Sequence, residues 1–144
     1  MLQQIDIANV LFLDIETVSG HADFSELPED LQALWAHKAS NLLKGSDAPP
    51  TDEAIAESYR DRAAIYAEFG KIICISVGAL HRDKDGRLRV RLKSFAGADE
   101  AALLRDFNQL LGQYYNDPFK FFLCGHNIKE FDIPYICRRM VVHS

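Results

Sequence analysis

Cysteine is scarce in this sequence, with three residues among 144, at Cys74, Cys124 and Cys137. They lie far apart, and the sequence contains no CxxC and no Cys/His pair at ligand spacing. Zinc sites and redox motifs need such spacing, so the pattern argues against both classes. We expect three reduced thiols in the protein core.

Long apolar runs are also lacking, since no segment approaches the roughly 18 consecutive apolar residues that a membrane-spanning helix needs. Residues 1–10 have no basic segment followed by an apolar core and a cleavage site. We therefore expect a cytoplasmic protein without a membrane partner. The hydrophobic content of 48% and charged content of 26% are typical of one ordinary folded domain.

Positive charge is in deficit, because 16 Lys and Arg stand against 21 Asp and Glu, for a net charge of -5. This balance argues against a surface that coats nucleic acid by charge alone. It leaves open a nucleic-acid enzyme whose bound metal ions reverse the local sign.

Four apolar segments have the character of strands: Val10 to Val18, Lys71 to Leu80, Leu88 to Phe95, and Lys120 to Asn127. The polar stretch "HRDKDG" joins the second and third, which predicts an antiparallel hairpin. An amphipathic helical pattern in "ADEAALLRDFNQLLGQYYND" precedes the fourth, which predicts a crossover to a parallel strand. The expected fold is an α/β mixed sheet with flanking helices.

Residues 21–70 form a helical insertion after the first strand, with patterns at about Leu27 to Leu43 and Thr51 to Phe69. The turn-rich stretch "KGSDAPP" separates them, and Thr51 is a plausible helix start. Each helix is short and needs a partner surface for its apolar residues. We predict a single domain, 1–144, that includes this insertion.

The stretch "VLFLDIETV" places Asp14 and Glu16 two positions apart in an apolar strand. Alternation points both carboxylates to one face and their apolar neighbours to the other. Two like charges this close need compensation, by a divalent cation or by basic side chains. A solvated polar face is the alternative explanation.

A second acidic position follows the last predicted strand, in "GHNIKEFDIPYI". Pro134 is tolerable only in the first turn of the helix predicted here, so Asp132 lies near the helix N-terminus. The helix dipole favours a carboxylate at that end, and a simple capping role is the alternative to a functional one.

"FLDIET" followed by "GHNIKEFDIPYI" resembles the first and second motifs of the DEDD (DnaQ-like) superfamily of 3'-5' exonucleases. The second motif is especially similar to the proofreading domain of family-B DNA polymerases, and the arrangement most resembles stand-alone exonucleases related to that domain. The DxE alone is unspecific, whereas N-x-x-x-F-D-x-P-Y after a strand is a specific signal. The resemblance covers nearly the whole chain apart from residues 21–70, and it implies an RNase H-like fold.

In that superfamily four acidic residues hold two Mg²⁺ or Mn²⁺ ions for phosphodiester hydrolysis. The resemblance implies that Asp14, Glu16 and Asp132 are catalytic and metal-binding residues. It implies substrate contacts for Thr17, Asn127 and Phe131. The implied substrate is nucleic acid, with single-stranded DNA favoured and RNA an alternative.

The third motif of the superfamily, Tyr or His followed four residues later by Asp, does not occur after Asp132. We expect that the C-terminal part of the domain is missing, because the chain is a portion of a longer protein, or that the domain is degenerate. In either case we expect little or no turnover from this chain alone. Two alternatives to a stand-alone exonuclease are a non-catalytic module that binds nucleic acid or protein, and the proofreading portion of a family-B polymerase.

Several other side chains are candidates for a functional role. Tyr135 is expected to pack rather than to replace the missing tyrosine, and His126 to make a local hydrogen bond rather than to touch substrate. The basic stripe, defined as Arg87, Arg89, Arg91 and Lys93, alternates with apolar residues on the third strand. It could track a nucleic-acid backbone, or it could protect a sheet edge from pairing with other molecules.

Overall fold

The computed structural model describes residues 5–43 and 49–144. These residues form one sheet of four strands: β1 at Val10–Ser19, β2 at Gly70–Arg82, β3 at Leu88–Ala96 and β4 at Phe122–Cys124. The strand order is β3-β2-β1-β4, with β2 and β3 antiparallel and β1 and β4 parallel. The predicted mixed sheet of an α/β RNase H-like fold is confirmed.

The fourth strand is much shorter than predicted. Only Phe122, Leu123 and Cys124 pair with β1, opposite Val10, Leu11 and Phe12. Before the strand, the N–H groups of Lys120 and Phe121 donate to the Asp117 carbonyl in a turn. After it the chain turns towards a helix, so the prediction of Lys120 to Asn127 was wrong at both ends.

In the part of the chain that the structure describes, four α-helices accompany the sheet: α1 at Glu29–Leu42, α2 at Asp52–Arg62, α3 at Glu100–Tyr114 and α4 at Asp132–Val142. Thr51 is confirmed as a helix start, because its hydroxyl accepts the Ala54 N–H at 3.2 Å. Helix α2 ends sooner than predicted and a 3-10 turn, Ala63–Ile65, follows it. Most of the predicted break "KGSDAPP" lies outside the described residues.

The chain divides into two compact units, Met1–Glu16 with Ile72–Ser144, and Thr17–Lys71. The second contains α1 and α2, and its core is built around Trp35, whose ring lies 5.2 Å from that of Tyr59 and 4.9 Å from that of Phe69. The prediction of one domain with an insertion stays a prediction.

In the first unit, β1 buries Leu11, Leu13 and Ile15 and exposes the residues between them that carry charge. Helix α3 contacts β3 and α4, and the Phe107 ring of α3 lies 6.1 Å from that of Phe95 on β3. The predicted alternation along β1 is therefore confirmed, with an apolar face turned into the core.

A buried ion-pair cluster joins β2, α3 and α4 within the first unit. The Glu100 carboxylate, 6% exposed, accepts the Ile72 N–H at 2.7 Å. It also accepts from the Arg139 guanidinium at 2.9 and 2.6 Å, and the His143 ring lies 2.7 Å away. One carboxylate thus ties the start of α3 to the end of α4.

All three cysteines are free, as predicted, but their placement differs. Cys74 is half-buried, whereas Cys124 and Cys137 are exposed. The expectation of core thiols was therefore wrong for these two, because all three residues of β4 are exposed and Cys137 lies on an exposed side of α4. No helix in residues 5–43 and 49–144 combines the length and hydropathy needed to cross a membrane.

Candidate active site

Asp14 and Glu16 project from the same face of β1 and are exposed. Ile15, which lies between them, is 7% exposed, and Leu13, just before Asp14, is 4% exposed. These buried side chains fix the strand against the core. The two carboxylates therefore stand on a rigid support, as a site with defined geometry requires.

The loop after β4 approaches β1 very closely at Gly125. Strand β4 pairs only as far as Cys124, opposite Phe12, so the chain leaves the sheet beside Leu13. A Cβ atom added at Gly125 would lie 2.5 Å from the Leu13 carbonyl oxygen and 3.3 Å from the Ile128 Cβ. Only glycine fits here. Sequence reasoning missed this role, although a glycine directly after a strand is a signal of close backbone approach.

Asn127 makes the turn that follows. Its φ of 51° lies in the left-handed region, which asparagine tolerates better than most residues. Its carbonyl accepts the N–H groups of Glu130 and Phe131, both at 3.0 Å, and the chain enters α4. The Asn127 side chain is left exposed beyond the end of β4.

Asp132 is the first residue of α4 and is only 3% exposed. One of its carboxylate oxygens accepts the Ile15 N–H at 3.2 Å. The N-cap position belongs to Phe131, which makes no side-chain capping bond. Asp132 therefore does more than cap its own helix, because its carboxylate reaches the β1 backbone between Asp14 and Glu16.

Burial raises the pKa of Asp132 above its ordinary value of 3.8. The hydrogen bonds from its own N–H and from Ile15 act in the opposite direction. The negative charge of Asp14 raises this pKa further, and His126 lowers it. The site thus places a buried carboxyl group in the field of a second carboxylate, an arrangement that added positive charge would stabilise.

Carboxylate oxygens are hard ligands, so the chemistry of Asp14, Glu16 and Asp132 fits Mg²⁺ or Mn²⁺. The hydrogen bond to Ile15 brings Asp132 to the strand that carries the other two. Across residues 5–43 and 49–144, however, no three His, Cys, Asp or Glu side chains are drawn together as a metal-binding group.

The predicted substrate residues have separate surroundings. The half-buried Phe131 ring lies 5.5 Å from the ring of Tyr135, which is 2% exposed and packs as expected. Thr17 is a half-buried β1 residue that belongs to the second unit. Their roles, and that of Asn127, stay predictions. His126 is exposed beside this site.

A cleft of about 300 Å³ opens beside Asp14 on the same face of the sheet. Its lining includes Gly125 and, from β2 and β3, Ser76 and Ser94, whose hydroxyls lie 3.0 Å apart. The volume is at the lower end of the range usual for small-ligand sites, and it adjoins one of the two exposed carboxylates.

The family model described as DNA polymerase family B, exonuclease domain, matches residues 3–143. No match to a curated protein is found.

Proposed function

The chain belongs to the exonuclease domain family of family-B DNA polymerases, whose members are DnaQ-like 3'-5' exonuclease domains. We propose that it is the domain of a metal-dependent exonuclease. The proposed reaction removes nucleoside monophosphates from the 3' end of single-stranded DNA. The observation that carries the proposal is the hydrogen bond of the buried Asp132 carboxylate to the β1 backbone between Asp14 and Glu16.

In this proposal Asp14, Glu16 and Asp132 would hold Mg²⁺ or Mn²⁺. Two such ions supply neutralisation of phosphoryl charge and an activated water at neutral pH. The Ile15 N–H donates to the Asp132 carboxylate at 3.2 Å and so holds this carboxylate next to β1. The cleft of about 300 Å³ beside Asp14 would take the terminal nucleotide, while Asn127 and Phe131 orient it.

Catalysis by these 144 residues alone is proposed to be weak. The superfamily's fourth carboxylate and its water-orienting Tyr or His come from a third motif, and no Tyr or His followed four residues later by Asp occurs after Asp132. With three carboxylates the site would bind metal weakly. We expect full activity only where a fourth acid completes the site.

The test is digestion of a 5'-labelled single-stranded DNA oligonucleotide in Mn²⁺ by the protein at its natural length. A ladder that shortens from the 3' end, and that is lost in Asp14→Ala, would support the exonuclease and the role of Asp14. Asp106→Ala, a change at an exposed position on α3, is the matched control and should digest normally. No digestion by folded protein would refute the proposal.

One alternative function is a non-catalytic module that binds nucleic acid. Such a module would show saturable DNA binding that survives Asp14→Ala, with no shortening of the strand. The family match also suits a proofreading module of a polymerase. The cytoplasmic location stays a prediction.

A further inference from the structure

A second concave region lies on the other face of the sheet from Asp14. Leu92 and Ser94 of β3 line the cleft beside Asp14. The alternate residues, Arg91 and Lys93, line a second concavity of about 410 Å³. Arg91 lines this groove and not the cleft, whereas Lys93 contributes to both. We call this region the aromatic-basic groove, and it lies entirely within the first unit.

Aromatic rings form one wall of the aromatic-basic groove. Tyr114 and Tyr115 come from the end of α3, and Phe121 precedes β4. The rings of Tyr115 and Phe121 meet edge to face, with centroids 5.3 Å apart. Tyr114 is 60% exposed, so its ring is open to a ligand. Val77 of β2 contributes to the apolar lining.

Positive charge collects at the same place. Arg91 and Lys93 line the groove, and the Lys120 ammonium lies 5.0 Å from the centre of the Phe121 ring. None of the described residues that line the groove is acidic, although acidic residues outnumber basic ones in the whole chain. By contrast Arg89, two residues before Arg91, is paired with Asp83 at 2.8 Å.

We propose that the aromatic-basic groove binds a nucleotide, with the base against the aromatic wall and the phosphate at Arg91 and Lys93. Stacking on aromatic side chains beside cations is how proteins hold single-stranded nucleic acid without reading its sequence. The choice of a nucleotide over other anionic aromatic ligands rests on the proposed function. The groove holds either one unit of a single strand or a free nucleoside monophosphate, and both present the same base and phosphate.

Edge protection is the competing explanation for these cations. Strand β3 is the edge of the sheet in the described residues, and charged side chains discourage edge-to-edge pairing. Edge protection works with charge of either sign, whereas phosphate binding needs positive charge. Replacement by glutamate therefore separates the two explanations.

The experiment measures binding of fluorescein-labelled oligothymidylate by anisotropy in EDTA, where hydrolysis is stopped. Arg91→Glu with Lys93→Glu should weaken binding at least tenfold. It should also reduce the slope of log affinity against log salt by about 1.4, because each phosphate contact contributes about 0.7 for a single strand. The matched control is Arg87→Glu with Arg105→Glu, which makes the same charge change at exposed positions outside the groove and should leave the slope within about 0.3.

Two further variants test the aromatic wall. Tyr114→Ala should weaken binding about fivefold by loss of stacking. Phe119→Ala removes a ring that is 93% exposed but lies outside the groove, and should have no effect. Unfolding midpoints in urea verify that each variant is folded.

Competition with thymidine monophosphate identifies the source of the nucleotide. Displacement at a concentration within tenfold of the oligonucleotide's dissociation constant assigns a free nucleotide, and displacement only above a hundredfold assigns a strand. Equal binding by the wild type and by the Arg91 and Lys93 variant, or no binding by either, would overturn the proposal.

Arg91→Glu alone, at a residue that lines the groove and not the cleft beside Asp14, should reduce the slope by about 0.7. If the groove binds DNA but the protein at its natural length digests none in Mn²⁺, the exonuclease proposal fails while the groove stands. If digestion occurs but the groove variants bind normally, the groove proposal fails while the exonuclease proposal stands.

Discussion

Asp132 and Ile15, 117 positions apart in the sequence, are joined by a hydrogen bond of 3.2 Å from the Ile15 N–H to the Asp132 carboxylate. The bond is buried, and it places an acid from the start of α4 against the strand that carries Asp14 and Glu16. This one contact serves the stability of the first unit and the assembly of the proposed site. The two contributions can be separated by substitution.

Asp132→Asn should keep an oxygen acceptor for the Ile15 N–H, so we expect the free energy of unfolding to change by less than about 1 kcal/mol. Asp132→Ala leaves a buried N–H without its acceptor and should cost about 1 to 3 kcal/mol. Urea unfolding gives both values. Digestion in Mn²⁺ by the protein at its natural length should be lost in both variants, because both remove the charge. A fully active Asp132→Asn variant would contradict the metal-binding role.

Gly125→Ala should destabilise the protein by about 1 to 3 kcal/mol, because the new Cβ would lie 2.5 Å from the Leu13 carbonyl oxygen. The control is Gly112→Ala within α3, where an added Cβ meets no described atom within 4 Å. That change should stabilise by about 0.5 to 1 kcal/mol, since glycine is a poor helix residue. Thermal unfolding of the two variants should therefore shift in opposite directions.

Glu100 should make stability depend on acidic pH. Burial alone would raise its pKa, but hydrogen bonds from Arg139, the Ile72 N–H and His143 hold the pKa below its ordinary value of 4.5. The folded state therefore binds fewer protons than the unfolded chain in this range. The resulting stability is fully present above the ordinary pKa and is lost as the pH falls through the lower, folded value.

Glu100→Gln should cost about 3 kcal/mol near neutral pH, because it removes the buried negative charge that the Arg139 guanidinium binds at 2.6 Å. The difference between this variant and the wild type should shrink as the pH falls below 4.5. Urea unfolding at a series of pH values measures the trend. Asp106→Asn, at an exposed position on the same helix, should parallel the wild type throughout, and a constant difference for Glu100→Gln would count against the prediction.

The exposure of Cys124 and Cys137 predicts two rapidly modified thiols and one slow thiol, Cys74. Titration of the native protein with a chromogenic disulfide reagent should show this ratio. Cys124→Ser and Cys137→Ser should each remove one rapid equivalent, whereas Cys74→Ser should remove only the slow one. Three equally slow thiols would contradict this prediction and would fit the expectation that all three cysteines are buried.

Local patterns in the sequence predicted much of the fold. Strand β1, the antiparallel hairpin, the crossover helix α3 and the cap at Thr51 all follow from periodicity and from turn chemistry among near neighbours. The predicted ends of β4 and α2 were wrong, because the end of an element depends on which neighbouring strand or turn captures its backbone groups.

The candidate site divides in the same way. The motifs around Asp14 and Asp132 selected the family, which the family match confirms. The roles of the acidic residues stay predictions. The need for glycine at position 125 and the hydrogen bond from Ile15 required the packed backbone. Neither leaves a periodic signal, since each depends on a distance between segments far apart in the chain.

The sequence by itself determined that carboxylates share one face of an apolar strand and that a second acidic motif follows the last strand. Alternation and capping are decided by adjacent residues, so they can be read directly from the order of amino acids. The tertiary structure decided that Asp132 binds the β1 backbone, that Glu100 joins Arg139 and His143, and that Arg91 and Lys93 face an aromatic wall. Those contacts form only when helices and strands pack, because packing alone brings residues distant in sequence within hydrogen-bonding range.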